Sequence, residues 1–100
     1  MSWIIVFLGN PGFRYHNTRH NAGFMAGDAL AKTLGVKIDR VKFKSLSAVT
    51  ELGGKKVLLL KPQTFMNLSG DAVREAMKFY KTPLERVLAV SDDAALPLGK

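Results

Sequence analysis

Six apolar residues in a row, Trp3-Ile4-Ile5-Val6-Phe7-Leu8, run into Gly9-Asn10-Pro11-Gly12. A strand with one wet face alternates apolar and polar residues; an unbroken run instead fits a central strand covered on both faces. That requirement points to a sheet with helices on both sides. The run is far below the ~20 residues of a bilayer span. It also lacks the basic flank and cleavage site of a signal peptide. Gly9-Asn10-Pro11-Gly12 is a strong turn signal that ends the strand.

The rest of the chain supplies partners for this strand. From Asn21 the period becomes helical, with Ala22, Met25, Ala26, Ala29, Leu30 and Leu34 as the expected apolar stripe and Gly35 as the stop. Gly23 and Gly27, spaced i, i+4, allow this helix to lie close on a sheet. Residues 42–52 read as one strand, Gly53-Gly54 as a hairpin turn, and Val57-Leu58-Leu59-Leu60 as a buried strand ended by Pro62. Ser69 is the expected N-cap of a second helix, with Asp71 in its first turn and Val73, Ala76, Met77 and Tyr80 as its stripe. Thr82-Pro83-Leu84-Glu85 has capping-box spacing before a short helical turn. Val87-Leu88-Ala89-Val90 is the last strand expected. The order is β-α-β-β-α-β: an α/β fold with a mixed, partly parallel open sheet and flanking helices.

Charge narrows the partner. Lys and Arg number 15 against 8 Asp and Glu, a net charge of +7. Residues 1–50 carry +5 of this and residues 51–100 carry +2. A basic excess on a compact domain suits a polyanion, nucleic acid before an acidic membrane surface. The bland reading is a basic, solvated surface. Cysteine is absent, which excludes a disulfide framework, a zinc–thiolate site and cysteine catalysis and fits the cytoplasm.

Sites in open α/β sheets lie beyond the carboxyl ends of the parallel strands. Asn10 follows the first strand, Asp92 follows the last, and His20 lies just before the first helix. One sheet edge thus gathers an amide, a carboxylate and an imidazole. An imidazole base, a carboxylate fixing its tautomer and an amide orienting water or polarising a carbonyl make a hydrolytic set. No G-x-S-x-G nucleophile is present, so direct attack by water is the simpler chemistry. Each residue also has an ordinary reading: His20 as a capping residue, Asp92 and Asn10 as turn formers. His16 and His20 have chelating spacing, but no carboxylate completes the set and Arg19 opposes a cation, so no metal is expected. Gly9-Asn10-Pro11-Gly12 matches neither G-x-G-x-x-G nor the Walker loop, so no nucleotide cofactor is expected.

Three stretches carry a resemblance. Leu8-Gly9-Asn10-Pro11-Gly12 with Tyr15 and Thr18-Arg19-His20-Asn21-Ala22-Gly23 is similar to the opening signature of bacterial-type peptidyl-tRNA hydrolases. Lys61-Pro62-Gln63-Thr64-Phe65-Met66-Asn67-Leu68-Ser69-Gly70 resembles the second signature, and Asp92-Asp93 with Leu96-Pro97-Leu98-Gly99 the third. The resemblance implies hydrolysis of the ester joining a peptide to tRNA. It makes His20 the catalytic base, supported by Asp92. Asn10 and Asn67 would position substrate and water, and Tyr15, Phe65 and Met66 would line the site near the tRNA end.

Two local departures stand out. Phe7 occupies a place where the family usually has glycine, and Ala94-Ala95 replaces a bulky residue and an acid. Family members are also nearly twice as long. Residues 1–100 are therefore expected to be the N-terminal part of one hydrolase-like domain, with a fold incomplete relative to the family. On that view Val87–Val90 is an open edge that invites self-association, and the full-length protein is a monomer. A non-catalytic RNA-binding module, an inert fragment and a fragment completed by a second chain are the competing expectations.

Overall fold

The first strand does sit at the centre of a sheet. A computed structural model of the chain describes residues 1–9, 22–63, 69–91 and 95–97. Strand β1 (Trp3–Phe7) is followed by helix α1 (Ala22–Leu34), β2 (Arg40–Lys42), β3 (Ser45–Leu52) and β4 (Lys55–Pro62). Helix α2 (Ser69–Tyr80), a 3₁₀ turn (Leu84–Arg86), β5 (Val87–Val90) and β6 (Ala95–Pro97) complete the order. The six strands form one sheet in the order β2-β3-β4-β1-β5-β6. β1 pairs in parallel with β4 and with β5, while the β2–β3, β3–β4 and β5–β6 pairs are antiparallel.

Side-chain alternation along β1 feeds two cores. Ile4 and Val6 pack with Leu58, Leu60 and Val87 under Val73 and Ala76 of α2. Phe7 packs with Val57, Leu59 and the α1 residues Phe24 and Ala31 on the opposite face. Each helix therefore covers one face, which explains the absence of polar residues in β1. Ile4, Val6, Leu59 and Leu60 have no exposed surface; each such side chain contributes roughly 1.5–3 kcal/mol of burial.

Several expectations need correction. The buried face of α1 is Gly23, Phe24, Gly27 and Ala31, whereas Met25, Ala26 and Ala29 are exposed. Apolar periodicity catches Leu30 and Leu34, which pack against the same core, but is out of phase because two of the four buried residues are glycines, which carry no hydrophobic signal. A Cβ on Gly23 would lie 2.1 Å from the Leu8 carbonyl oxygen and 2.8 Å from that of Val90; one on Gly27 would lie 2.7 Å from Cγ of Phe7. The Phe7 ring thus occupies the space that Gly27 leaves open. The helix ends as expected, with Gly35 N–H donating to Lys32 O and Val36 N–H to Ala31 O, the paired bonds of a Schellman cap.

Residues 42–52 are not one strand. Phe43 and Lys44 turn the chain at φ 56° and 52°, separating β2 from β3. Such primed turns normally use Asn or Gly. Here the buried Phe43 ring joins the α2-side core, and packing overrides local preference. Ser69 is a helical residue rather than a capping one, and its buried Oγ has no hydrogen-bond partner. The Thr82 box does not form either: Pro83 takes the cap position, and Thr82 Oγ1 is buried without a partner. Finally, β5 is not an open edge, because β6 pairs along it from Leu88↔Pro97 to Val90↔Ala95. A three-residue strand containing proline carries too little pattern to be read in advance.

Candidate functional site

The parallel register brings three strand ends to one level. Val6 faces Leu60 and Phe7 faces Val90, and Leu8 N–H donates to Val90 O at 2.8 Å. The described structure stops at Gly9, Gln63 and Ser91 and resumes at Ala22, Ser69 and Ala95. The intervening segments, 10–21, 64–68 and 92–94, lie outside the described residues. All seven residues singled out from the sequence fall there: Asn10, Tyr15, His20, Phe65, Met66, Asn67 and Asp92. His16 of the weighed chelating pair is also outside them.

What is described is the frame on either side of these segments. Gly23, in the first turn of α1, seats directly on the Leu8 and Val90 carbonyls. The start of α1 and the ends of β1 and β5 therefore meet at one point, through main chain, with no side chain between them. A second tie joins α1 to β4. Lys61 Nζ donates to Asp28 Oδ1 at 2.8 Å and lies 5.2 Å from the Phe24 ring centroid. Sequence reasoning placed Lys61 only within a signature stretch; its partner is 33 positions away in sequence and carries no local signal. A third tie is Gln63 N–H donating to Lys44 O at 2.9 Å, which fixes the β2–β3 turn to the end of β4.

On the α2 side of the same edge, a cavity of about 490 Å³ opens between β1, β5 and α2, lined mainly by Val6, Leu8, Val73, Met77 and Ala89 with Ser69 at its rim. Among the described residues no group of three or more His, Asp or Glu side chains gathers around a common point. No helix of the described residues is long and apolar enough to cross a membrane.

Comparison with known proteins decides the family. The family model for peptidyl-tRNA hydrolase matches residues 4–100. A peptidyl-tRNA hydrolase from Carboxydothermus hydrogenoformans is 63% identical over 98 residues, 98% of this chain and 52% of that protein. The chain belongs to the peptidyl-tRNA hydrolase family. A second family relative, from Caldanaerobacter subterraneus subsp. tengcongensis, is 58% identical over 98% of this chain and 53% of its own length. The crystal structure of the Acinetobacter baumannii peptidyl-tRNA hydrolase superposes with a TM-score of 0.81 at 42% identity, covering 89% of this chain and 47% of that one. The fold is thus the family's fold, with β1, β4 and β5 as its parallel centre. The chain spans about half the length of the curated relatives it matches.

Proposed function

We propose that this chain carries the catalytic edge of a peptidyl-tRNA hydrolase, which cleaves the ester between a peptide and tRNA and releases both. One observation carries the reading: Gly23 rests on the carbonyls of Leu8 and Val90. Asn10 is two residues from Leu8, Asp92 two from Val90, and His20 three from Gly23. A chain spans at most about 3.3–3.6 Å per residue. Their Cα atoms are therefore tethered within roughly 7–11 Å of one described contact. This supports a single site at the edge where α/β enzymes hold their chemistry.

In the proposed mechanism His20 accepts a proton from water as the water oxygen attacks the ester carbonyl carbon. The tetrahedral species then collapses, the acyl carbon–ribose oxygen bond breaks, and the imidazolium returns its proton to the leaving oxygen. Asp92 fixes the tautomer of His20 and favours its charged form. Asn10 and Asn67 hold the attacked carbonyl and the water, while Tyr15, Phe65 and Met66 line the substrate side. No cofactor or metal takes part. The substrate's phosphates suit the +7 charge. We place the reaction in the cytoplasm and take the full-length enzyme to be a monomer.

The test compares this chain with a version extended by the second half of the Carboxydothermus hydrogenoformans relative, using peptidyl-tRNA as substrate. The extended protein should turn over, while residues 1–100 alone should release little or no peptide. His20→Ala in the extended protein should lose about 10²–10⁴-fold in turnover and keep its tRNA affinity. Near wild-type turnover in that variant refutes the mechanism.

A further inference from the structure

A basic, aromatic surface joins the β2–β3 turn to the end of α2. Phe79, near the end of α2, is 58% exposed. Its ring packs against Tyr80 at 4.8 Å and against Phe43 at 5.4 Å between centroids. Lys42 Nζ stands 4.0 Å from the Phe79 centroid and within 6 Å of Phe43 and Tyr80. A shallow hollow of about 430 Å³ is lined by Lys42, Phe43, Glu75, Lys78 and Phe79. Lys44 and Lys81 flank the cluster in sequence, and both are exposed.

The charges here are not internally matched. The ion pairs among the described residues are Lys61–Asp28 and Arg74–Asp71, and neither involves these lysines. Glu75 is the one carboxylate lining the hollow. A cation–π cluster explains why Lys42 sits over the rings. It does not explain why Phe79 stays 58% exposed although Lys42 covers one face of its ring, beside Lys78 and Lys81, which join no ion pair among the described residues. An exposed ring beside fixed cations is the arrangement that holds a nucleobase by stacking and the neighbouring phosphate by charge.

We propose that Phe79 and Lys42 form a second RNA contact, with Phe79 stacking on an unpaired base and Lys42, Lys78 and Lys81 facing the adjoining backbone phosphates. The surface is joined to the catalytic edge: Lys42 and Phe43 lead into the turn whose Lys44 carbonyl is bound by Gln63 at the end of β4. RNA held at the edge therefore meets a second handhold across one hairpin. The proposal deepens the functional reading above and rests on it for the identity of the RNA.

The test titrates the 100-residue chain against labelled deacylated tRNA by fluorescence anisotropy at two salt concentrations. Thermal unfolding checks the fold of each variant. Phe79→Ala should weaken binding about fivefold or more. Phe79→Trp should keep the affinity, and its added indole emission should be quenched by RNA. Lys42→Met should weaken binding and lower the log–log salt slope by about one. Unchanged affinity in Phe79→Ala, or no quenching in Phe79→Trp, overturns the proposal. So does a Phe79→Ala variant that loses self-association in sedimentation but still binds tRNA, since the ring then serves a protein contact. Hydrolysis is scored separately. RNA binding through Phe79 without turnover in the extended protein leaves this contact standing and removes the enzymatic reading. Turnover with no effect of Phe79 does the reverse.

Discussion

The first turn of α1 meets the strand ends with its backbone, at Gly23, while α2 meets the sheet with side chains, Val73, Ala76 and Met77, and leaves a cavity beside them. The two contacts differ in tolerance. Where main chain lies on main chain, nothing can rotate to admit a new atom. Where side chains pack beside a cavity, small changes in volume are absorbed by rotamer shifts. The rigid contact is the one between the helix that follows His20 and the strands that precede Asn10 and Asp92. The softer contact belongs to the face that carries Phe79.

Between these two faces, the larger effect should therefore come from the smallest addition. Gly23→Ala places a methyl carbon 2.1 Å from one carbonyl oxygen and 2.8 Å from another, and both are main-chain atoms. The helix must lift from β1 and β5. We expect a loss of about 3 kcal/mol, the upper end of ordinary overpacking, measured by urea unfolding. In the extended protein, turnover should fall as well. A variant within about 1 kcal/mol of wild type would show that α1 is not seated on the strand ends.

Removing more atoms from the other face should cost less. Val73 is 7% exposed and borders the cavity. Val73→Ala deletes two methyl groups, worth about 1.5–2 kcal/mol at ~0.8 kcal/mol each. The existing cavity already forfeits part of the packing that such a deletion would remove. If Val73→Ala destabilises more than Gly23→Ala, the contrast between the faces is wrong.

The same contrast explains what could be read from the sequence. β1, β4 and β5 were legible because buried strands announce themselves as apolar runs. The glycines at 23 and 27 were legible as a close approach, yet the stripe drawn through Met25, Ala26 and Ala29 was out of phase, because a glycine contact leaves no hydrophobic trace. The break at Phe43-Lys44 was illegible: neither residue is a turn former, and what holds Phe43 is a ring contact with Tyr80 on α2. The Lys61–Asp28 tie and the Phe79 surface are likewise long-range products of the fold. The site is a different case. Asn10, His20 and Asp92 are proposed from their places after β1, before α1 and after β5 and from the family resemblance, and all three lie outside the described residues.

The two hairpin turns among the described residues give the finest comparison. Gly53-Gly54 and Phe43-Lys44 are both two-residue turns with positive φ at both positions, 59° and 78° against 56° and 52°. The first obeys local preference. The second violates it at both residues, beside the end of β4. For an L side chain the left-handed region costs about 1–2 kcal/mol per residue. Replacing it with glycine relieves that strain but adds roughly 0.5–1 kcal/mol of unfolded-state entropy. For the exposed Lys44, Lys44→Gly should thus stabilise the chain by about 0.5–1 kcal/mol and raise Tm by a few degrees. Phe43→Gly gains the same relief but loses a buried ring, worth about 3–5 kcal/mol, and should be strongly destabilised. Opposite signs at adjacent residues with nearly equal φ would mean that the strain at Phe43 is held by its ring alone. A lower Tm in Lys44→Gly would instead place part of the turn's stability in the Lys44 side chain.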